Sequence, residues 1–513
     1  MSDAPHGDGG ARPLAVAAGP LACFALLLWQ PGGLSGPPLQ TLAITAWVAL
    51  WWITEALPIA VTSLLPLVLL PLFGLKGAGD VARLYMEDLL ILLLGGFLLA
   101  LALERWGLHR RLALFVLGVL GGAPRRLVVG CALASALVSM WISNSGTTLV
   151  LLPIALAVGR RLARELPAET GARVERALLL AIAYGATAGG LGTYVGTPPN
   201  LVFRERYVRD FGAGTPGGPP EISFLEWMVA FAPLALLLTL VIGVVLAWRL
   251  PKVDGGATRA AVRAEAAELP RWSLGELLVT LLFCAAALLW ITREPFDVGG
   301  RSWFGWGRLH WPKGWVSDGT VAMALTLLCF VIRVKPAPGM AAPRHGGRVA
   351  LLDWSEAESK MPWGILLLFG GGFALGDAFQ SSGLSKLLGE ELARSLTGAP
   401  TFLVVLTTCL FVILVSEFMN NTACAQVLLP ILSAVAPLLG MPPVLLLVPA
   451  TLAASCGFMM PAGTAPNAIV FATRKLRVGE MAKVGLLLDL LSALLVSAWV
   501  VWVAPLLGLP LGR

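Results

Sequence analysis

Residues 127–159, 177–203 and 418–473 of this 513-residue chain contain no Asp, Glu, Lys or Arg. A helix needs about 20 apolar residues to cross a bilayer, so three uncharged runs of this size commit the chain to a membrane. Charged residues are 13% of the whole, about half their share in a soluble domain. So little polar surface cannot cover a water-exposed body, which excludes a soluble enzyme and a disordered scaffold. The spans should be helical, because barrel strands alternate apolar and polar residues over segments of about ten. With 57 Gly and 36 Pro, several of those helices should be interrupted.

The net charge of +7 comes from short basic clusters between apolar runs, a loop topology signal that does not call for nucleic acid. The seven cysteines sit in apolar runs without CxxC or Cys/His ligand spacing, as small buried hydrophobes do. The first apolar run, 14–30, follows a polar leader with no good small-residue cleavage site, and reads as a retained helix.

The chain repeats itself. Leu92-Leu93-Leu94-Gly95-Gly96-Phe97 returns as Leu366-Leu367-Leu368-Phe369-Gly370-Gly371-Gly372-Phe373, and Trp106-Gly107-Leu108 as Ser382-Gly383-Leu384. Ser143-Asn144-Ser145, followed by Leu151-Leu152-Pro153-Ile154, matches Asn420-Asn421-Thr422, followed by Leu428-Leu429-Pro430-Ile431. Gly196-Thr197-Pro198-Pro199-Asn200 matches Gly463-Thr464-Ala465-Pro466-Asn467. Four matches in one order, 267–277 positions apart, indicate two structural repeats. The expected organisation is N-terminal scaffold helices over 1–79, a first repeat over 80–210, connecting scaffold helices over 211–354, a second repeat over 355–480, and a C-terminal helix over 481–513.

The run 127–159 is too long for one span and too short for two, with the polar group Ser143-Asn144-Ser145-Gly146 at its centre. A re-entrant helical hairpin over about 125–160 solves this, its tip buried in protein at mid-membrane. A second hairpin is expected over about 398–440. The Gly-Thr-X-Pro-Asn segments fall inside later apolar runs, where Gly and Pro unwind a helix, so broken helices are expected over about 177–203 and 443–473. Arg125, Arg126, Arg160, Arg161 and Arg164 flank the first hairpin, while the second has no charged flank. The positive-inside rule then opens the first hairpin to the cytoplasm and the second outward, inverting the repeats. The scheme is an all-α polytopic membrane protein with about eleven transmembrane helices plus the two hairpins. Its N-terminus is cytoplasmic. Arg204-Glu205-Arg206 and Arg209 fall outside, a violation offset by Glu205 and Asp210. Trp303, Trp306, Trp311 and Trp315 read as interfacial anchors.

No HExxH, GxSxG or Walker A sequence is present. The remaining signal is four polar breaks placed symmetrically in two inverted repeats, the signature of a secondary transporter with its substrate at the midplane between them. Unpaired N–H groups at helix N-termini suit an anion, and unpaired carbonyls suit a small hard cation.

Together with Trp51-Trp52-Ile53-Thr54-Glu55-Ala56-Leu57-Pro58 and the run from Trp106 to Arg111, these motifs resemble the divalent-anion/sodium symporter family, the sodium-coupled dicarboxylate, citrate and sulfate carriers. The resemblance covers nearly the full length. It implies a homodimer in the plasma (inner) membrane that imports a small dicarboxylate such as succinate, malate or fumarate with sodium, by an elevator-like alternation and with no other cofactor. It implies substrate contacts from Asn144, Ser145, Thr197, Pro198, Asn421, Thr422, Thr464 and Ala465. One sodium site would comprise Ser139, Ser143, Asn144 and Gly196; the other, Ser416, Met419, Asn421 and Gly463. Ser145, Asn420 and Ala465 depart from the family's Thr, Ser and Pro.

Sodium-independent exchange, a sulfate or citrate cargo, and cation/proton antiport through Glu417 or Glu55 stay open as alternatives. Glu417 is the only charge between Arg394 and Arg474. Its favoured reading is a carboxylate satisfied by nearby backbone and hydroxyl groups. Glu55 is read as a hydrogen-bonder at a helix junction.

Overall fold

The computed structural model describes residues 13–120, 123–165, 167–212, 221–248, 250, 256–267, 269–298, 301–303, 305–309, 311–312, 315–337, 347–461 and 463–507. The polar leader, Arg249 and the middle of the basic stretch 333–348 lie outside the described residues.

Helices dominate. The chain opens with α1 (Pro13–Trp29), α2 (Gly36–Thr54), α3 (Ile59–Thr62), α4 (Leu65–Leu72) and α5 (Ala78–Leu84). Then come α6 (Asp88–Arg105), α7 (Leu108–Leu120), α8 (Pro124–Ser139), α9 (Asn144–Glu165), α10 (Ala168–Gly189) and α11 (Pro198–Phe211). The middle holds α12 (Phe224–Trp248), α13 (Gly256–Ala267), α14 (Leu274–Thr292), α15 (Asp318–Val331) and α16 (Trp354–Lys360). The last part holds α17 (Trp363–Ser381), α18 (Leu384–Leu396), α19 (Thr401–Ser416), α20 (Asn421–Leu438), α21 (Val444–Ala454), α22 (Ala465–Phe471) and α23 (Val478–Ala498). The all-α expectation needs a small amendment: two antiparallel ladders pair Phe296–Val298 with Arg301–Trp303 and Arg333–Val334 with Val349–Ala350.

Among the described residues, 7 helices are long and apolar enough to cross a membrane, and five further apolar helices are shorter, at 10–17 residues. The short ones include α19 and α21, which end at polar breaks.

The elements from α6 to α11 and from α17 to α22 follow one order. A long helix turns through a left-handed glycine, Gly107 (φ 75) or Gly383 (φ 81), into a helix of 13 residues. Only glycine takes that conformation cheaply, which accounts for its place in both copies of the motif. Next comes an arm of 16 residues, α8 or α19, started by proline at its first turn or at its cap. Sixteen residues rise about 24 Å, less than the roughly 30 Å of a bilayer's hydrocarbon core. A four-residue tip, 140–143 or 417–420, then leads into α9 or α20. Finally α10 or α21 ends in an irregular break, and a half-helix, α11 or α22, begins at the Gly-Thr-X-Pro-Asn segment.

The two sets interlock. α11 packs against α20 and α21, while α22 packs against α9 and α10. Residues of both sets share one continuous buried core, in which Tyr184 on α10 meets Phe458 of the second break edge-on at 5.1 Å. An aromatic face on α12 supports the first break: Trp227 stacks on Tyr194 at 4.7 Å and donates to Leu191 O.

The broken helix expected to end at residue 203 instead runs as α11 to Phe211. Its charges continue the helix because they are paired. Arg204 bonds Glu221 at 2.7 Å and Asp318 at 2.8 Å, Arg206 bonds Asp210 at 2.5 Å, and Arg209 bonds Glu205 at 2.5 Å.

Candidate functional site

Each hairpin tip meets the break of its own half through one asparagine. The Asn144 amide lies 3.1 Å from Ala186 O on α10, 3.2 Å from Gly196 O in the break, and 2.6 Å from Ser139 Oγ at the end of α8. The Asn421 amide lies 3.2 Å from Ala454 O on α21 and 3.0 Å from Gly463 O. In both, the nitrogen faces the carbonyls and donates to them, since the opposite orientation would set oxygen against oxygen. Each joint therefore ties hairpin, helix end and break at one point.

A second brace lies beneath each joint. Asn200 Nδ2 donates to Gly190 O at 3.0 Å and Thr193 O at 2.7 Å. Asn467 Nδ2 donates to Gly457 O at 3.2 Å and Met460 O at 3.1 Å. Donors and acceptors of the two braces all differ by 267 positions, so the last residue of each Gly-Thr-X-Pro-Asn segment folds the break back on itself. The sequence reading quoted both asparagines within the motif but assigned them no role. Their recurrence in both copies was the available signal.

Where tip and break are fastened beside the joint, the two halves use different chemistry. In the first, the Thr193 hydroxyl donates to Met140 O and accepts from Gly196 N at 3.1 Å. In the second, Glu417 reaches the other way, accepting from Met459 N at 2.8 Å and Met460 N at 2.7 Å. The carboxylate is 1% exposed and satisfied by the break's own backbone, as expected. Asp489 on α23, which the sequence reading missed, accepts from Phe458 N at 3.0 Å, so two buried acids hold three successive amides. A lone acid in an apolar run was the signal for it. Glu55 does stand at a helix junction, in the left-handed region at the end of α2. It is exposed there, and among the described residues it makes no hydrogen bond.

The other expected site residues are placed as follows. Ser143 Oγ accepts from Gly146 N at 3.2 Å and Asn420 Oδ1 from Thr422 N at 2.9 Å. Both spend their side chains on the first turn of the following helix, and Ser and Asn are among the best residues for that purpose, which accounts for the exchange at 420. Ser416 Oγ donates to Ile413 O in its own helix, and Met419 is buried beside it. Thr197 and Thr464 both stand at half-helix N-caps, but only Thr464 accepts from its helix, from Asn467 N at 3.3 Å. Thr197, Thr422 and Thr464 are buried, Ser145 and Pro198 half-buried, and Ala465 exposed. Asn144, Ser139 and Gly196 thus converge directly, as do Asn421 and Gly463. Four helices, α9, α11, α20 and α22, begin at these residues, and their N-termini carry partial positive charge.

A family model described as the sodium:sulfate symporter transmembrane region matches residues 14–509. The chain is 39% identical over 504 residues to the sodium-dependent dicarboxylate transporter SdcS of Staphylococcus saprophyticus, covering 96% of this chain and 91% of the relative. It is 38% identical over 510 residues to SdcS of Staphylococcus aureus strain bovine RF122, covering 96% and 92%. Among solved structures, the Alcanivorax borkumensis YdaH transporter, described as having an unusual topology, aligns with a TM-score of 0.51 at 18% identity over 84% of this chain and 86% of that one.

Proposed function

The chain belongs to the sodium:sulfate symporter family, and from that premise we propose that it is a multi-pass transporter importing a small dicarboxylate of the succinate, malate or fumarate class together with sodium. The observation that carries this reading is the pair of matched joints at Asn144 and Asn421. Each presents backbone carbonyls, joined at the first by the Ser139 hydroxyl, the kind of ligand a sodium ion takes, beside helix N-termini that favour an anion. The 39% identity to a sodium-dependent dicarboxylate transporter supports the cargo.

In this reading sodium binds first, at Ser139, Ser143, Asn144 and Gly196 and at Ser416, Met419, Asn421 and Gly463. The amides of Asn144 and Asn421 turn from the carbonyls they now hold to frame ion and substrate. The carboxylates then bind between the tips, against Ser145, Thr422, Thr197, Pro198, Thr464 and Ala465. Neither tip nor either half-helix start carries Lys, Arg or His, so the ion supplies the positive potential for a doubly charged anion and leaves with it. The repeats are inverted in the bilayer, with about eleven spans and two re-entrant hairpins. The N-terminus lies in the cytoplasm, and a homodimer in the plasma membrane moves its repeat portion against the remaining helices.

Labelled succinate uptake into proteoliposomes tests the reading. An inward sodium gradient should drive accumulation at least ten-fold above the sodium-free level. Asn144→Ala and Asn421→Ala should each remove that accumulation while still purifying as monodisperse protein. Equal uptake without sodium would replace symport with exchange.

A further inference from the structure

A cleft of about 540 Å³ opens between α8 and α12, away from the joints described above. Arg125 and Arg126, in the first turn of α8, line one end, and Val129, Val244 and Trp248 line the sides. Gly130 and Ala247 complete the lining and are buried; their small size leaves room between the two helices. Arg125 Nε donates to Leu250 O at 2.6 Å, which fixes the guanidinium at the mouth. Arg126 is exposed, and neither arginine pairs with a carboxylate among the described residues.

The chemistry is mixed in a specific way. Two guanidiniums with no carboxylate partner among the described residues, beside the positive end of α8, favour an anion with several oxygens. Val244 and Trp248 at the same cleft are 48% and 75% exposed, an apolar wall that a small water-soluble anion leaves uncovered. Trp248 closes α12 at the level where tryptophan marks the membrane interface. Basic pockets between spanning helices at the cytoplasmic surface suit anionic lipid headgroups.

We propose that this cleft binds an anionic phospholipid, its phosphate on Arg125 and Arg126 and an acyl chain along Val129, Val244 and Trp248. The site rests on the proposed cytoplasmic placement of Arg125 and Arg126 but not on sodium or dicarboxylate transport, and places a lipid against the first arm of the first hairpin.

Native mass spectrometry of the full-length protein titrated with phosphatidylglycerol and phosphatidylcholine tests it. Wild type should bind phosphatidylglycerol preferentially. Arg126→Gln should weaken that binding about five-fold, and the double change with Arg125→Gln about 25-fold, the effect of about one basic side chain each at a membrane surface. Phosphatidylcholine binding should not change. Val244→Trp fills the cleft with both arginines in place and should also displace phosphatidylglycerol, which separates loss of charge from loss of fold. Equal binding of the two lipids by wild type, undiminished phosphatidylglycerol binding in the double variant, or competition by inorganic phosphate at equal concentration would each overturn the proposal.

Discussion

Glu417 and Thr193 show at single-residue scale how two related halves diverge. Both fasten a hairpin tip to its break, one with a carboxylate accepting two amides and the other with a hydroxyl. Replacing Glu417 by Ala strands the amides of Met459 and Met460 in a buried setting, at a cost of about 3 kcal/mol. Gln keeps one acceptor oxygen and should lose about half as much. Thermal unfolding of the purified protein should therefore rank wild type above Glu417→Gln above Glu417→Ala; identical midpoints would deny the brace. Much at this scale was legible in the sequence. Asn144 and Asn421 recur in matched polar tips, and both turned out to hold helix ends and breaks together. Thr193 was not legible, and Asp489 was legible only as a lone acid in an apolar run, because their partners are backbone groups brought near only by the fold.

At the scale of elements, α8 and α10 make the tightest helix contact in the first half. Gly185 and Gly189 lie one turn apart on α10, and a Cβ at either would fall 2.4 Å and 2.3 Å from Ala132 O and Ala136 O of α8. Such spacing of small residues lets membrane helices approach backbone to backbone. Gly189→Ala has no flexible side chain to push aside, so overpacking should cost about 1–3 kcal/mol and lower the unfolding midpoint, while Gly118→Ala, which faces open space, should not.

The charged end of α11 makes a different prediction. Glu205 is buried and pairs with Arg209 at 2.5 Å, so Glu205→Ala, which takes one carboxylate from that guanidinium, should cost about 1–3 kcal/mol and lower the unfolding midpoint; an unchanged midpoint would contradict the pairing. The same residues mark where sequence reading fell short. Counting uncharged runs ended the helix at 203, because a linear count cannot see that Arg204 has Glu221 and Asp318 beside it.

Across the whole molecule, the order of elements was the most legible feature. The tip and break motifs, spaced 267–277 positions apart, fall on corresponding hairpins and half-helices. The number of spans was less legible, since among the described residues length separates only 7 helices as clear candidates. Pro and Gly shorten the rest, and a short apolar helix has the same composition whether it spans, re-enters or supports.

In the proposed function the two joints take up sodium and carboxylate together, so that each ligand favours binding of the other by the same factor, because coupling free energy is reciprocal. The most direct measurement is uptake of labelled sodium into proteoliposomes with equal sodium on both sides, driven by an inward succinate gradient with the membrane potential clamped. Sodium should accumulate transiently inside wild-type vesicles and not in those carrying Asn144→Ala or Asn421→Ala. Succinate entry without any accompanying sodium would contradict the coupling.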